Sequence, residues 1–208
     1  MSSIDIMLSS HIQKSLRENL GKKETKRIEE ELYLWYKMDL TQAIKQFDTL
    51  DRILVNMYGK DGARALEKRF VRPVIEPNSK KAMKGTVTLT INDTDLINDL
   101  FTVIKDEGCM EIINILKKEP MIVSQIITHK KLQKYSDKTI YRKIGSLFAT
   151  GCIMVSGYTQ SEENKRVKVY RSTFDAIDLK IDGNNIAMAI TIRKEIVNDS
   201  LILSTVFS

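Results

Sequence analysis

Lys138, Thr139, Tyr141, Arg142 and Lys143 crowd into six residues of the stretch YSDKTIYRKIGSLFATGCIMVSGY, Tyr135 to Tyr158. At about 100° per residue, Ile140, Ile144, Leu147 and Phe148 fall on one stripe. Lys138, Arg142, Gly145 and Ala149 lie opposite, flanked by Thr139 and Ser146, with Tyr141 and Lys143 on the shoulders. Ser136 or Asp137 offers an N-cap, and Gly151 stands where a C-cap belongs. The pattern predicts a helix over 138–150 with an apolar underside and a small, cationic outer face. Its chemistry is recognition of a polyanion. Arg presents a planar fork that matches guanine, while Lys, Ser, Thr and Tyr hold phosphates. Ile140, Ile144, Leu147 and Phe148 themselves read as core.

The neighbouring segments must position this helix. DEGCMEIINILKKEP reads as an amphipathic helix stopped by Pro120. MIVSQIITHKKLQ reads as a short extended entry and a second helix from about Val123. CIMVSGY and RVKVYRS are two strands separated by the polar TQSEENK. The order is helix, helix, helix, strand, wing, strand, which describes a winged helix-turn-helix. Lys130, Lys131 and Lys134, after the second helix, lie where phosphates would pass. Lys165, Arg166 and Lys168 suit phosphate contact on the wing, whereas Glu162 and Glu163 at its tip would be repelled.

The first 75 residues read as short helices with starts at Asp39, Asp48 and Asp61 and a stop at Gly21. EPNSKKAMKG, 76–85, is the linker candidate. TVTLTI reads as a strand, and AIDLKIDGNNIAMAITIRKEI as a hairpin turning at Asp182-Gly183-Asn184-Asn185. The strand could join the hairpin in one small sheet. SLILSTVF is apolar enough to need covering, with a second subunit as one candidate. The expected fold class is α+β. It comprises an all-helical domain (1–75), a winged helix-turn-helix domain (86–174), and an appended β-hairpin with an apolar tail (175–208).

Charge supports the same partner. Residues 129–171 hold ten Lys/Arg and three Asp/Glu, a net +7 in a chain of net +6. A localised basic block points to a polyanion, with a merely solvated face as the plain alternative. Cys109 and Cys152 read as reduced, buried residues. No CxxC pair exists, and His11 and His129 are the only histidines, so no metal and no cofactor are expected. The chain lacks a Gly-rich phosphate loop, an HExxH motif and a nucleophile elbow, which argues against an enzyme. GKDGA at Gly59–Ala63 reads as a helix-linking turn. No apolar run reaches membrane-helix length and MSSIDIMLSSHIQKS lacks a signal-peptide pattern, so a cytoplasmic chain with no membrane partner is expected.

KTIYRKIGSLFATGCIMV, with MIVSQI upstream, resembles the winged-helix repressors of the ArsR/MarR type, notably their archaeal members. The match covers Thr139, Ile140, Tyr141, Arg142, Ile144, Leu147 and Gly151 within about 70 residues. The resemblance implies that the helix near Ser136–Arg142 reads the major groove and that the wing touches backbone. The metal-binding cysteine pairs of the arsenic-sensing branch are absent, so no metal-sensing role carries over. LGKKETKRIEEELYLWY and MYGKDGARALEKRF resemble a small helical domain attached to regulators of ammonia-oxidising archaea.

The leading expectation is a sequence-specific, DNA-binding transcriptional regulator acting as a homodimer on double-stranded DNA. The alternative is a winged-helix module that meets a protein of the transcription machinery without reading sequence. An RNA-binding role ranks below both, since the aromatic platform of single-strand readers is missing.

Overall fold

Ser2 starts the first helix: its hydroxyl accepts from the Asp5 N–H and caps α1 (Ser3–Tyr36). A computed structural model describes residues 2–78, 85–161, 164–182 and 185–207. Gly21 breaks α1 with φ 76°, at the expected stop. Asp39 begins α2 (Leu40–Lys45) with a reciprocal capping box to Gln42. α3 (Phe47–Val71) is broken at Gly59 and starts one residue ahead of the expected Asp48, which lies in its first turn. Ile12, Leu16, Ile28 and Leu32 of α1 are fully buried against α2 and α3.

The expected linker is strand at its start. β1 (Ile75–Pro77) pairs antiparallel with β2 (Thr86–Ile91), joining Ile75 to Ile91. Residues 79–84 lie outside the described residues. β2 pairs with β7 (Asn185–Arg193), which pairs with β6 (Ala176–Asp182), giving the order β1-β2-β7-β6. Asp182 faces Asn185 across the hairpin end; Gly183 and Asn184 of the expected turn lie outside the described residues.

A helix absent from the sequence expectations follows β2. Asp93 accepts from the Leu96 N–H and caps α4 (Thr94–Ile104), which buries Leu96, Ile97 and Leu100. Next come α5 (Glu107–Lys118), β3 (Met121–Ile122), α6 (Val123–Ile127), a 3₁₀ turn (Lys130–Leu132) and α7 (Asp137–Ala149). β4 (Ile153–Gln160) and β5 (Arg166–Ser172) complete a second antiparallel sheet of order β3-β5-β4. The chain is therefore α+β with antiparallel sheets.

The apolar tail does not wait for a second subunit. It forms α9 (Leu201–Phe207), after α8 (Lys194–Asn198), and buries Ile202, Leu203 and Val206 against α1, α3 and β1. The Ser200 hydroxyl donates to the buried Asp5 carboxylate at 2.5 Å, tying this tail to the first turn of α1. One apolar cluster takes in buried side chains from all three expected domains. No helix among the described residues is long and apolar enough to cross a membrane.

Candidate nucleic-acid interface

The α7 helix starts where its sequence asks. Ser136 Oγ accepts from the Thr139 N–H at 3.3 Å, and the two hydroxyls lie 2.9 Å apart. Ile140, Ile144 and Leu147 are buried between α5 and α6; each contributes roughly 2 kcal/mol by leaving water. Phe148 is half-buried and meets Tyr170 of β5 edge to face, with ring centres 6.0 Å apart.

The other end is set by Gly151. Its φ of 74° follows the α7 cap residue Thr150, and a side chain there would run into the Ser3 carbonyl oxygen of α1. Thr173 Oγ1 donates to the Gly151 carbonyl at 2.7 Å and stands 3.0 Å from Ser3 Oγ. The first turn of α1 thus sits on the joint between α7 and the β4–β5 hairpin, a contact without local sequence signal.

The expected basic set divides. Lys143, expected on the outer shoulder, turns inward: its side chain is 11% exposed and its Nζ lies 2.5 and 2.6 Å from the Asp106 carboxylate oxygens. The ammonium also lies 5.5 Å from the centre of the Tyr135 ring. Asp106 caps α5 by accepting from the Cys109 N–H. Hydrogen bonding from Lys143, then from that N–H, holds its carboxyl below the usual range. Lys134 pairs with Glu107 at 2.5 Å, and Lys131 approaches Glu111 at 3.9 Å. Lys131 and Lys134 reach the α5 glutamates from the turn before α7, and Lys143 reaches the α5 cap residue from α7 itself.

Lys138, Arg142 and Lys130 are exposed. Lys138 and Arg142 have no acidic partner among the described residues. Tyr141 is 57% exposed and lines a groove of about 610 Å³ with Val123, Ser124, Val167, Lys168 and Tyr170. Lys165 and Ser161 line the same groove. Arg166 lies 4.1 Å above the Tyr158 ring, and Lys168 lies 5.5 Å from the Phe148 ring. Tyr158 has no such role in the sequence pattern; its cross-strand pairing with Lys168 in the β4–β5 register brings it beside the basic strand. Glu162 and Glu163 lie outside the described residues. Ser146 faces elsewhere, lining a cleft of about 410 Å³ with His11 of α1 and Asp99 of α4.

Cys109 and Cys152 are buried and unpaired, and burial pushes both thiols up to about 11. The His11 ring nitrogens lie 2.9 Å from Asp93 and 3.4 Å from Asp99, which joins α1 to α4. No group of three or more His, Cys, Asp or Glu side chains among the described residues could hold a metal.

No model of a known protein family matches the chain, and no curated protein matches it. The coarse class defined by the fold is an α+β protein with two antiparallel sheets. Within it, α7 and the β4–β5 hairpin flank a groove with exposed cations.

Proposed function

We propose that the chain is a sequence-specific DNA-binding transcriptional regulator acting as a homodimer. In this reading α5, α6, α7, β4 and β5 form a winged helix-turn-helix, and α7 is its recognition helix. The observation that carries the reading is the sorting of cations around α7. Lys143 is withdrawn onto Asp106 at the start of α5 and Lys131 and Lys134 make surface pairs with its glutamates, while Lys138 and Arg142 are exposed in the first half of α7 with no acidic partner among the described residues. That end of a recognition helix contacts base edges. Arg142 is the candidate for guanine, and Lys138, Ser136 and Thr139 for phosphates. Arg166 and Lys168 on β5 supply the wing contact.

Selection of bound sequences from a random duplex pool tests this. The expected result is a two-fold motif with half-sites about 10 bp apart. Binding without enrichment removes the sequence-reading claim.

One observation favours the second reading, a protein-binding module. The groove beside Tyr141 is walled by Ile122, Val123, Val167 and Tyr170, and apolar aromatic surface suits a protein partner. Salt-sensitive DNA binding that enriches no motif, or no DNA binding at all, would favour it.

A further inference from the structure

Among the described residues the two sheets have four outer edges, formed by β1, β6, β3 and β4. Three of them are poor templates for further pairing. β1 is three residues long, ends in Pro77 and packs against α9. β3 is two residues long, and β4 carries a register shift between Val155 and Gly157. Short strands, proline, cover and bulges are the means by which an edge is withheld from another chain. β6 is different. It runs for seven residues without proline, keeps an unbroken register with β7, and has no strand on its outer side among the described residues.

Apolar surface reaches that edge. Ile177 and Leu179 lie on the same face as the buried Ile190 and Met188, their partners on β7. The outer margin of this face is open to water: Leu179 is 39% exposed, and Ile186 on β7 is 49% exposed. Asp178 and Lys180 belong to the opposite face, across from Ala189 and Ala187.

We infer that two copies of the chain pair along the outer edge of β6, antiparallel about a two-fold axis at Leu179. The assignment deepens the homodimer part of the proposed function and rests on it. Position 179 is the midpoint of Ala176–Asp182, so this register pairs the whole strand. It sets Leu179 against Leu179, and Ile177 against position 181 of the second copy, which closes the apolar margin. It also sets Asp178 against Lys180 of the second copy, and the reverse. Moving the axis to 178 or 180 would set Asp178 against itself or Lys180 against itself. The backbone ladder and the apolar margin hold the pair, and the two charges choose its register. One strand carries both halves of the match, so the partner it fits is a second copy.

Sedimentation of the full chain without DNA, across micromolar concentrations, tests the pairing, with amide exchange followed over the same range. A dimer and nothing larger is expected, because a two-fold pair leaves no β6 edge open. Exchange over 176–182 should slow as concentration rises, while exchange over 86–91 should not. Lys180→Asp and Asp178→Lys each set like charges opposite and should weaken self-association about tenfold; the combined swap should restore it. Leu179→Lys, at an exposed position, should give a monomer with the far-UV circular dichroism of the parent. A monomeric parent, a dimer whose 176–182 amides do not respond, single variants that associate like the parent, or a folded double variant without recovery would each overturn the assignment. A dimer that obeys the charge swap but binds no DNA sinks the regulator reading and leaves the interface standing. A monomer that binds a DNA motif does the opposite.

Discussion

Lys143 Nζ stands 2.5 and 2.6 Å from the two carboxylate oxygens of Asp106, joining α7 to the capped start of α5. The pair makes a residue that reads as a DNA contact in the sequence part of the packing between α7 and the start of α5.

Lys143→Gln is therefore expected to lower stability by about 1 kcal/mol, a value discounted because the Asp106 side chain is 41% exposed. A chain of this size would lose about 2–4 °C in Tm. The salt slope of DNA binding should not change, because this ammonium is turned away from solvent. Thermal unfolding alongside a salt titration checks both halves. A changed slope would return Lys143 to the interface. Asp106 adds a pH signature. Its folded-state pKa is depressed, so its contribution is present above the ordinary carboxylate value of 3.8 and is lost as pH falls through the lower folded value.

Gly151→Ala should be among the more damaging small substitutions. A left-handed φ of 74° disfavours a Cβ by roughly 1–2 kcal/mol, and that Cβ would also displace the Ser3 carbonyl. A loss of about 2 kcal/mol or more is expected in urea unfolding. Amide exchange should accelerate first at Ile4–Met7, where α1 rests on the joint. Unchanged exchange there would mean that the contact does not couple the two parts.

Much of this arrangement is legible in local pattern. The Ile140–Ile144–Leu147 stripe, the Ser136 cap and Gly151 each act within one or two turns of helix, and a period of 3.6 exposes them directly. The fate of Lys143 is not legible, because a wheel reports direction and not the reach of a long side chain to an acid 37 positions earlier. The tail poses the same problem. Its need for cover is plain, but the covering surface on α1 and α3 comes from the far end of the chain. The α4 helix is a different case. Asp93, Leu96, Ile97 and Leu100 carry a cap and a helical stripe, and the strand-like TVTLTI beside them masks that signal. The groove at Tyr141 needs three elements assembled before it exists.

Glu67 supplies a pH dependence separate from the interface. It is fully buried on α3; Arg64 Nη1 lies 2.5 Å from one carboxylate oxygen, and the other has no partner among the described residues. Burial pushes its pKa up to about 7 from 4.5, outweighing the opposing pull of Arg64. The folded-state value is raised, so this contribution is complete below about 4.5 and is lost as pH rises through about 7. At 1.36 kcal/mol per unit the loss is at most about 3 kcal/mol. Glu67→Gln should flatten the fall in unfolding free energy between about pH 5 and pH 8. An equally steep fall in the variant would assign the slope to another group.

Whether Lys138 and Arg142 read DNA is tested most directly by fluorescence anisotropy on a duplex pool across a salt series, comparing the parent with Lys138→Ala/Arg142→Ala. Binding by the parent is expected to weaken steeply with salt. The variant is expected to show a slope shallower by about 0.9 for each phosphate it no longer neutralises, and to enrich no motif. A variant that binds with the affinity, slope and motif of the parent would contradict a reading role for these two residues, as would a parent that does not bind DNA at all.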